Sequence, residues 1–221
     1  MSNSVVLWGA TGQAKVIEEA LRGTQYNIVA IFENRHVPSL WENIPIGYGQ
    51  AAFEQWLAQQ KNAQVLYAVP AIGGGNGKDR LFYLEFFEDH GLRILTVRHR
   101  SAFVAENAQI GEGCQILAQA AVCACVHMGK GVIANTSSSI DHDCVIEDGV
   151  HIGPGAILAG EVHVCKNAFI GTGAVVLPRI CIGANATVGA GAVVTKNIPE
   201  GVTVIGNPAR IYTKNTTEQF P

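Results

Sequence analysis

The chain is poor in charge. Of its 221 residues only 15% are Asp, Glu, Lys or Arg, the formal net charge is −3, and no basic run occurs. That excludes the electrostatic footprint of a nucleic-acid or anionic-membrane binder, while a local pocket could still take a small anion. Long apolar runs are missing too. No segment approaches eighteen consecutive apolar residues, and the opening MSNSVVLWGATG lacks a charged region followed by an apolar one. The expectation is a protein that does not insert into a membrane and stays cytoplasmic. The six cysteines all fall after residue 110, and none forms a C-x-x-C pair. No metal is therefore expected, and in a reducing compartment the cysteines read as small apolar residues.

What is present divides into two halves with different periods. Up to about residue 100, short β-rich runs alternate with helical ones: VVLW (5–8), NIVAIFEN (27–34), AQVLYAVP (63–70) and LRILTVR (92–98) as strands, VIEEALRG (16–23), AAFEQWLAQQK (51–61) and DRLFYLEFFEDHG (79–91) as helices. Strands separated by helices of this length imply right-handed crossovers and a parallel sheet. Residues 1–100 are thus expected to form an α/β, Rossmann-like domain.

After residue 100 the period becomes six. From Val104 to Val194, sixteen positions six apart carry a residue that is apolar throughout, and the position four further on is small or β-branched. Three positions after each of these apolar residues, ten of sixteen are Gly or Asn, the residues that best tolerate positive φ. A sandwich would need turn signals every eight to twelve residues and would lose this register. The pattern predicts an all-β solenoid over 101–221, with three flat sides of six residues, eighteen residues per coil and about five coils.

These hexads, the α/β half, GATGQAKV near the start and VIGNPARIY near the end resemble the hexapeptide-repeat acyltransferases of the PglD/NeuD type, which act on nucleotide-linked amino sugars or sialic acid. The resemblance implies a left-handed parallel β-helix, acetyl-CoA as co-substrate and a homotrimer with sites between subunits. It also implies a first domain that binds the nucleotide-sugar acceptor.

Within the repeat, SSSIDHDCVIEDGVHIGPGA (137–156) crowds two histidines and acids into a segment that elsewhere carries small residues. His142 falls at a corner and His151 on the middle of a flat side, facing outward. Nine residues are half a coil, so on one chain they project in nearly opposite directions and can share a site only between chains. A histidine of ordinary pKa ~6.5 can take the proton an amine sheds as it attacks a thioester. By resemblance, Asp141-His142-Asp143-Cys144 occupies the place of the family's E-H-[ED]-C motif, making His142 the general base and Asp143 its partner. The resemblance also puts His151 and Gly160 at the acyl-CoA thioester, and Asn207, Pro208, Ala209 and Arg210, with Lys196, near the adenine and phosphates.

In the first half, Gly9-x-x-Gly12 follows a strand and opens a helix, a place where backbone N–H groups can meet phosphate. The resemblance assigns this turn to the acceptor, with Gln13 where a histidine is usual and Glu33-Asn34 where two acids are usual. AIGGGNGKDR (71–80) supplies Gly74, Asn76 and Arg80, and its glycines suggest a mobile loop over the acceptor. The activity expected is N-acetylation of a 4-amino group on a nucleotide-linked deoxy-amino sugar. O-acetylation of a sugar or sialic acid is the near alternative. A carbonic-anhydrase-like metal enzyme is the alternative of another class, since His127, His151 and His163 share an outward phase.

Overall fold

The computed structural model describes residues 3–38, 41–44, 46–60 and 65–213. Five parallel strands, β1 (Asn3–Trp8), β2 (Tyr26–Glu33), β3 (Ile46–Tyr48), β4 (Leu66–Pro70) and β5 (Arg93–Ile94), form one sheet in the order β3-β2-β1-β4-β5. Helices α1 (Gly12–Leu21), α2 (Gly49–Ala58) and α3 (Gly77–Asp89) link them. Alternation along β1 separates two cores: Val5 and Leu7 pack with α1, while Val6 and Trp8 pack with Phe53, Tyr83 and Phe87 of α2 and α3. The end of the second expected helix and the start of the third expected strand, residues 61–64, lie outside the described residues.

The strand expected over 92–98 divides. Leu95 N–H still donates to Ala68 of the sheet, but Val97 N–H donates to Cys114, and Val97–Arg98 pairs with Gln115–Ile116. One extended run therefore leaves the α/β sheet and lays the first rung of the solenoid.

From there the two-residue strands stack in three parallel sheets. Outward positions are Phe103, Ala121, Ser139, Ile157, Val175 and Val193 on the first face, and Gln109, His127, Val145, His163 and Cys181 on the second. On the third they are Gln115, Ile133, His151, Phe169 and Thr187. The residues on either side point inward, and from Ile116 to Val194 every sixth residue is buried. The corners explain why so many side-chain types are accepted there. From Gly113 to Gly191 every sixth residue has φ between +56° and +70°, including Gln119, Asp143, Glu161 and Arg179. The coil imposes the left-handed conformation, which non-glycine residues adopt at some energetic cost. After Thr187 the step shortens, since its partner is Thr203, and a hairpin of Thr203–Ile205 with Arg210–Ile211 ends the stack.

The first domain sits on the third face. Leu117 and Ile133 of the solenoid belong to the same buried cluster as Val5, Leu7 and Ile17. The two halves thus share apolar core.

Candidate active site

The sheet order reverses between β1 and β4, and a crevice outside the carboxyl ends of such neighbouring strands is where open α/β sheets receive ligands. A cavity of about 790 Å³ opens there, lined among others by Gly9, Gly12, Gln13, Glu33, Asn34, Gly74 and Asn76. Gly9 has φ +112°, and a Cβ on it would overlap the Ala71 carbonyl, so only glycine lets β1 and β4 end this close together. Glu33 is nearly buried; its oxygens accept N–H groups from Ala10, Asn34 and Arg35, which fixes both turns at the cavity mouth. Asn34 exchanges hydrogen bonds with the Tyr83 hydroxyl, and Tyr83 stacks on Trp8 at 4.2 Å between ring centroids. Gln13 Nε2 donates to Gln115 Oε1, tying α1 to the third face.

Arg80 does not line the cavity. It is 1% exposed, and its guanidinium donates to the carbonyls of Gly131, Ile72, Gly74 and Gly149. Burial pulls its pKa down to about 10. Arg80, expected at the acceptor, has its donors engaged in stapling the 72–74 segment to two corners of the solenoid.

His151 faces outward from the third face, as its phase requires, but the same loop covers it and leaves it 4% exposed. Nδ1 lies 3.0 Å from the Gly74 carbonyl and Nε2 3.0 Å from Asn135 Nδ2. The tautomer that satisfies both carries its proton on Nδ1 and accepts from Asn135 at Nε2. Desolvation, aided by nearby Arg80, lowers its pKa to about 4. Both ring nitrogens of this residue, expected at the thioester, are thus engaged within the chain.

His142 is different: half its side chain is exposed. Asp143, held at φ +58° by the corner, places Oδ2 2.8 Å from His142 Nδ1, and His142 N–H donates to Asp141 Oδ1. The Asp143 hydrogen bond is the main cause that raises the histidine pKa. A proton on Nδ1 leaves Nε2 to accept, and among the described residues nothing bonds to it. One coil further on lies Gly160. A Cβ there would come within 2.6 Å of His142 Cε1.

The corner that carries His142 lies between the first and second faces, opposite the third face on which the first domain sits. In one chain the cavity and this imidazole are therefore on opposed sides of the triangular coil.

A bacterial transferase hexapeptide model of six repeats matches residues 161–196. GDP-perosamine N-acetyltransferase of Escherichia coli O157:H7 is 41% identical over 80 residues, a match that spans 36% of this chain and 36% of that protein. Full-length likeness comes from structures. Perosamine N-acetyltransferase from Caulobacter crescentus, solved as a histidine-to-asparagine variant with CoA and GDP-perosamine, is 33% identical with a TM-score of 0.87, covering 96% of this chain and 98% of that one. The acetyltransferase domain of PglB from Neisseria gonorrhoeae, in complex with acetyl coenzyme A, is 33% identical with a TM-score of 0.84, covering 96% and 100%. The chain belongs to the hexapeptide-repeat sugar acyltransferases.

This acyltransferase therefore has the left-handed parallel β-helix of its family behind an α/β domain. Its tail places Asn207, Pro208, Ala209 and Arg210 in the closing hairpin, at the far end of the solenoid, with Ala209 N–H bonded to Val193 and the exposed Arg210 to the Ala209 carbonyl. His127 and His163 stand on the second face with Val145 between them, while His151 is buried on the third. The three histidines of the carbonic-anhydrase-like alternative do not converge within the chain. Sequence reasoning missed Trp8, Thr11, Arg35, Asp79, Phe82 and Tyr83 in the cavity wall. Trp8 and Thr11 flank the Gly9 turn and could have been found from it; Phe82 and Tyr83 read as ordinary helix residues.

Proposed function

We propose that this acyltransferase moves an acetyl group from acetyl-CoA to the 4-amino group of a nucleotide-linked deoxy-amino sugar, by direct attack within a ternary complex. The observation that carries this reading is the Asp143–His142 pair at an open corner, with Nε2 beside Gly160 and without a hydrogen-bond partner among the described residues. Nε2 takes the amine proton as nitrogen attacks the thioester carbonyl, and Asp143 holds the tautomer and stabilises the imidazolium. Gly160 leaves the ring its place. The first domain (1–100) holds the acceptor, its cavity presenting the Gly9–Gly12 turn at the start of α1. The second domain (101–221) holds CoA, with Asn207, Pro208, Ala209 and Arg210 toward its nucleotide end. N-acetylation of GDP-perosamine in relatives supports an amine acceptor.

Because cavity and base lie on opposed sides of one coil, the site is completed by a neighbouring copy, and a homotrimer suits three flat faces. Cytoplasmic CoA and nucleotide sugars place the reaction inside the cell, in the synthesis of a surface glycan such as O-antigen. The test offers acetyl-CoA with GDP-, UDP- and dTDP-linked 4-amino sugars and follows thiol release. Turnover with an amino sugar that drops by about 10²-fold or more in His142→Ala is expected. Turnover only with hydroxyl acceptors, or full activity in that variant, contradicts the reading.

A further inference from the structure

The second face carries a cluster that acyl transfer does not use. His163 and Cys181 are Cα partners on adjacent rungs, Cys165 lies two residues beyond His163, and Glu147 lies one eighteen-residue turn below Cys165. Strand alternation puts His163 and Cys165 on the same side. The Cys165 and Cys181 sulfurs are 3.9 Å apart, and one donor atom from each of His163, Cys165 and Cys181 lies within 4.8 Å of the others. Glu147 Oε1 is 2.7 Å from His163 Nε2, and Glu147 Oε2 accepts the Lys166 N–H. All four residues are partly exposed, so an ion can reach them.

We propose that Cys165, Cys181 and His163, the last hydrogen-bonded to Glu147, form a three-residue binding site for a thiophilic divalent cation of the zinc class that bridges two successive turns of the coil. Two sulfurs at about 2.3 Å from a tetrahedral zinc stand about 3.8 Å apart, which matches the separation found. A disulfide would require about 2.05 Å. Donor chemistry agrees: two thiols and an imidazole are ligand types that zinc selects, and a carboxylate bonded to the imidazole is a usual support for such a ligand. Binding would release the thiol protons to solvent. The expectation that no metal is involved rested on the absence of C-x-x-C spacing. In a solenoid, residues sixteen to eighteen apart are neighbours, so that rule does not see this cluster.

The test titrates the reduced, full-length protein with Co²⁺ alone, without oxygen. The expected result is the intense visible absorption of tetrahedral, thiolate-bound cobalt, saturating at one ion per chain and abolished by added Zn²⁺. Cys165→Ser and Cys181→Ser should each remove it, and His163→Gln should weaken binding by roughly 10-fold or more. His142→Ala should leave it intact. Unchanged metal-free melting temperatures in at least two of the three cluster variants establish that the fold survives. Absence of the absorption in reduced protein, or its persistence in the Cys165→Ser, Cys181→Ser double variant, would overturn the proposal.

Discussion

The imidazole of His142 occupies the space that any side chain at Gly160 would fill. The two residues are eighteen apart, one full coil, and a Cβ at 160 would also lie 3.1 Å from His142 Cδ2. The backbone at Gly160 does not adopt positive φ. Alanine is therefore conformationally acceptable there, and its effect falls on the ring.

Gly160→Ala should thus act as a selective displacement of the base. Steady-state kinetics are expected to show kcat lowered by about 10²-fold, the scale of a misplacement near 1 Å, while thermal unfolding changes little. Full activity would mean that the ring's position over residue 160 is irrelevant.

Asp143 raises the His142 pKa, so removing its charge should lower it. The base must be unprotonated to act, and the acid limb of kcat/KM should inflect above the ordinary value of ~6.5 in the native enzyme. In Asp143→Asn that limb should move to lower pH, toward ~6.5. A shift the other way, or none, would separate Asp143 from the base.

His151 makes an opposite kind of pH dependence. Its folded pKa is about 4, below the ~6.5 of an unfolded chain, so between these values the unfolded state binds more protons. Stability is complete above pH ~6.5 and is lost as pH falls toward 4, by on the order of 3 kcal/mol at most. Denaturant unfolding of His151→Asn should show a flatter profile across that window, whatever its absolute stability.

Arg80 offers four hydrogen bonds to carbonyls of the 72–74 segment and of the Gly131 and Gly149 corners. Arg80→Met leaves those carbonyls unpaired and should destabilise the protein by roughly 3 kcal/mol or more, read as a lower denaturation midpoint. Acceptor affinity should weaken as well, because the cavity wall loses its anchor.

These residues also mark where sequence reasoning succeeds and where it stops. The coil was legible because inward positions recur every six residues, and a corner such as Asp143 could be placed from register alone. The cavity beside the ends of β1 and β4 was legible because Gly9 and Gly12 follow a strand and open a helix. The covering of His151 was not, since Gly74 is 77 residues away and packing between domains leaves no local period. The hydrogen bonds of Arg80 were not legible for the same reason: its solenoid partners lie 51 and 69 residues further on. The sulfur cluster escaped because its neighbours are set by the coil.

The most direct test asks whether one chain's cavity works with another chain's His142. Gly12 lines the cavity, and a Cβ there meets nothing within 4 Å, so Gly12→Trp should block the cavity without disturbing the fold. Gly12→Trp and His142→Ala should each be inactive alone. Co-expressed in equal amounts and purified as mixed oligomers, they should regain roughly a quarter of native activity, because that share of interfaces pairs an intact cavity with an intact histidine. Mixed oligomers with no activity above either parent would contradict a site shared between chains.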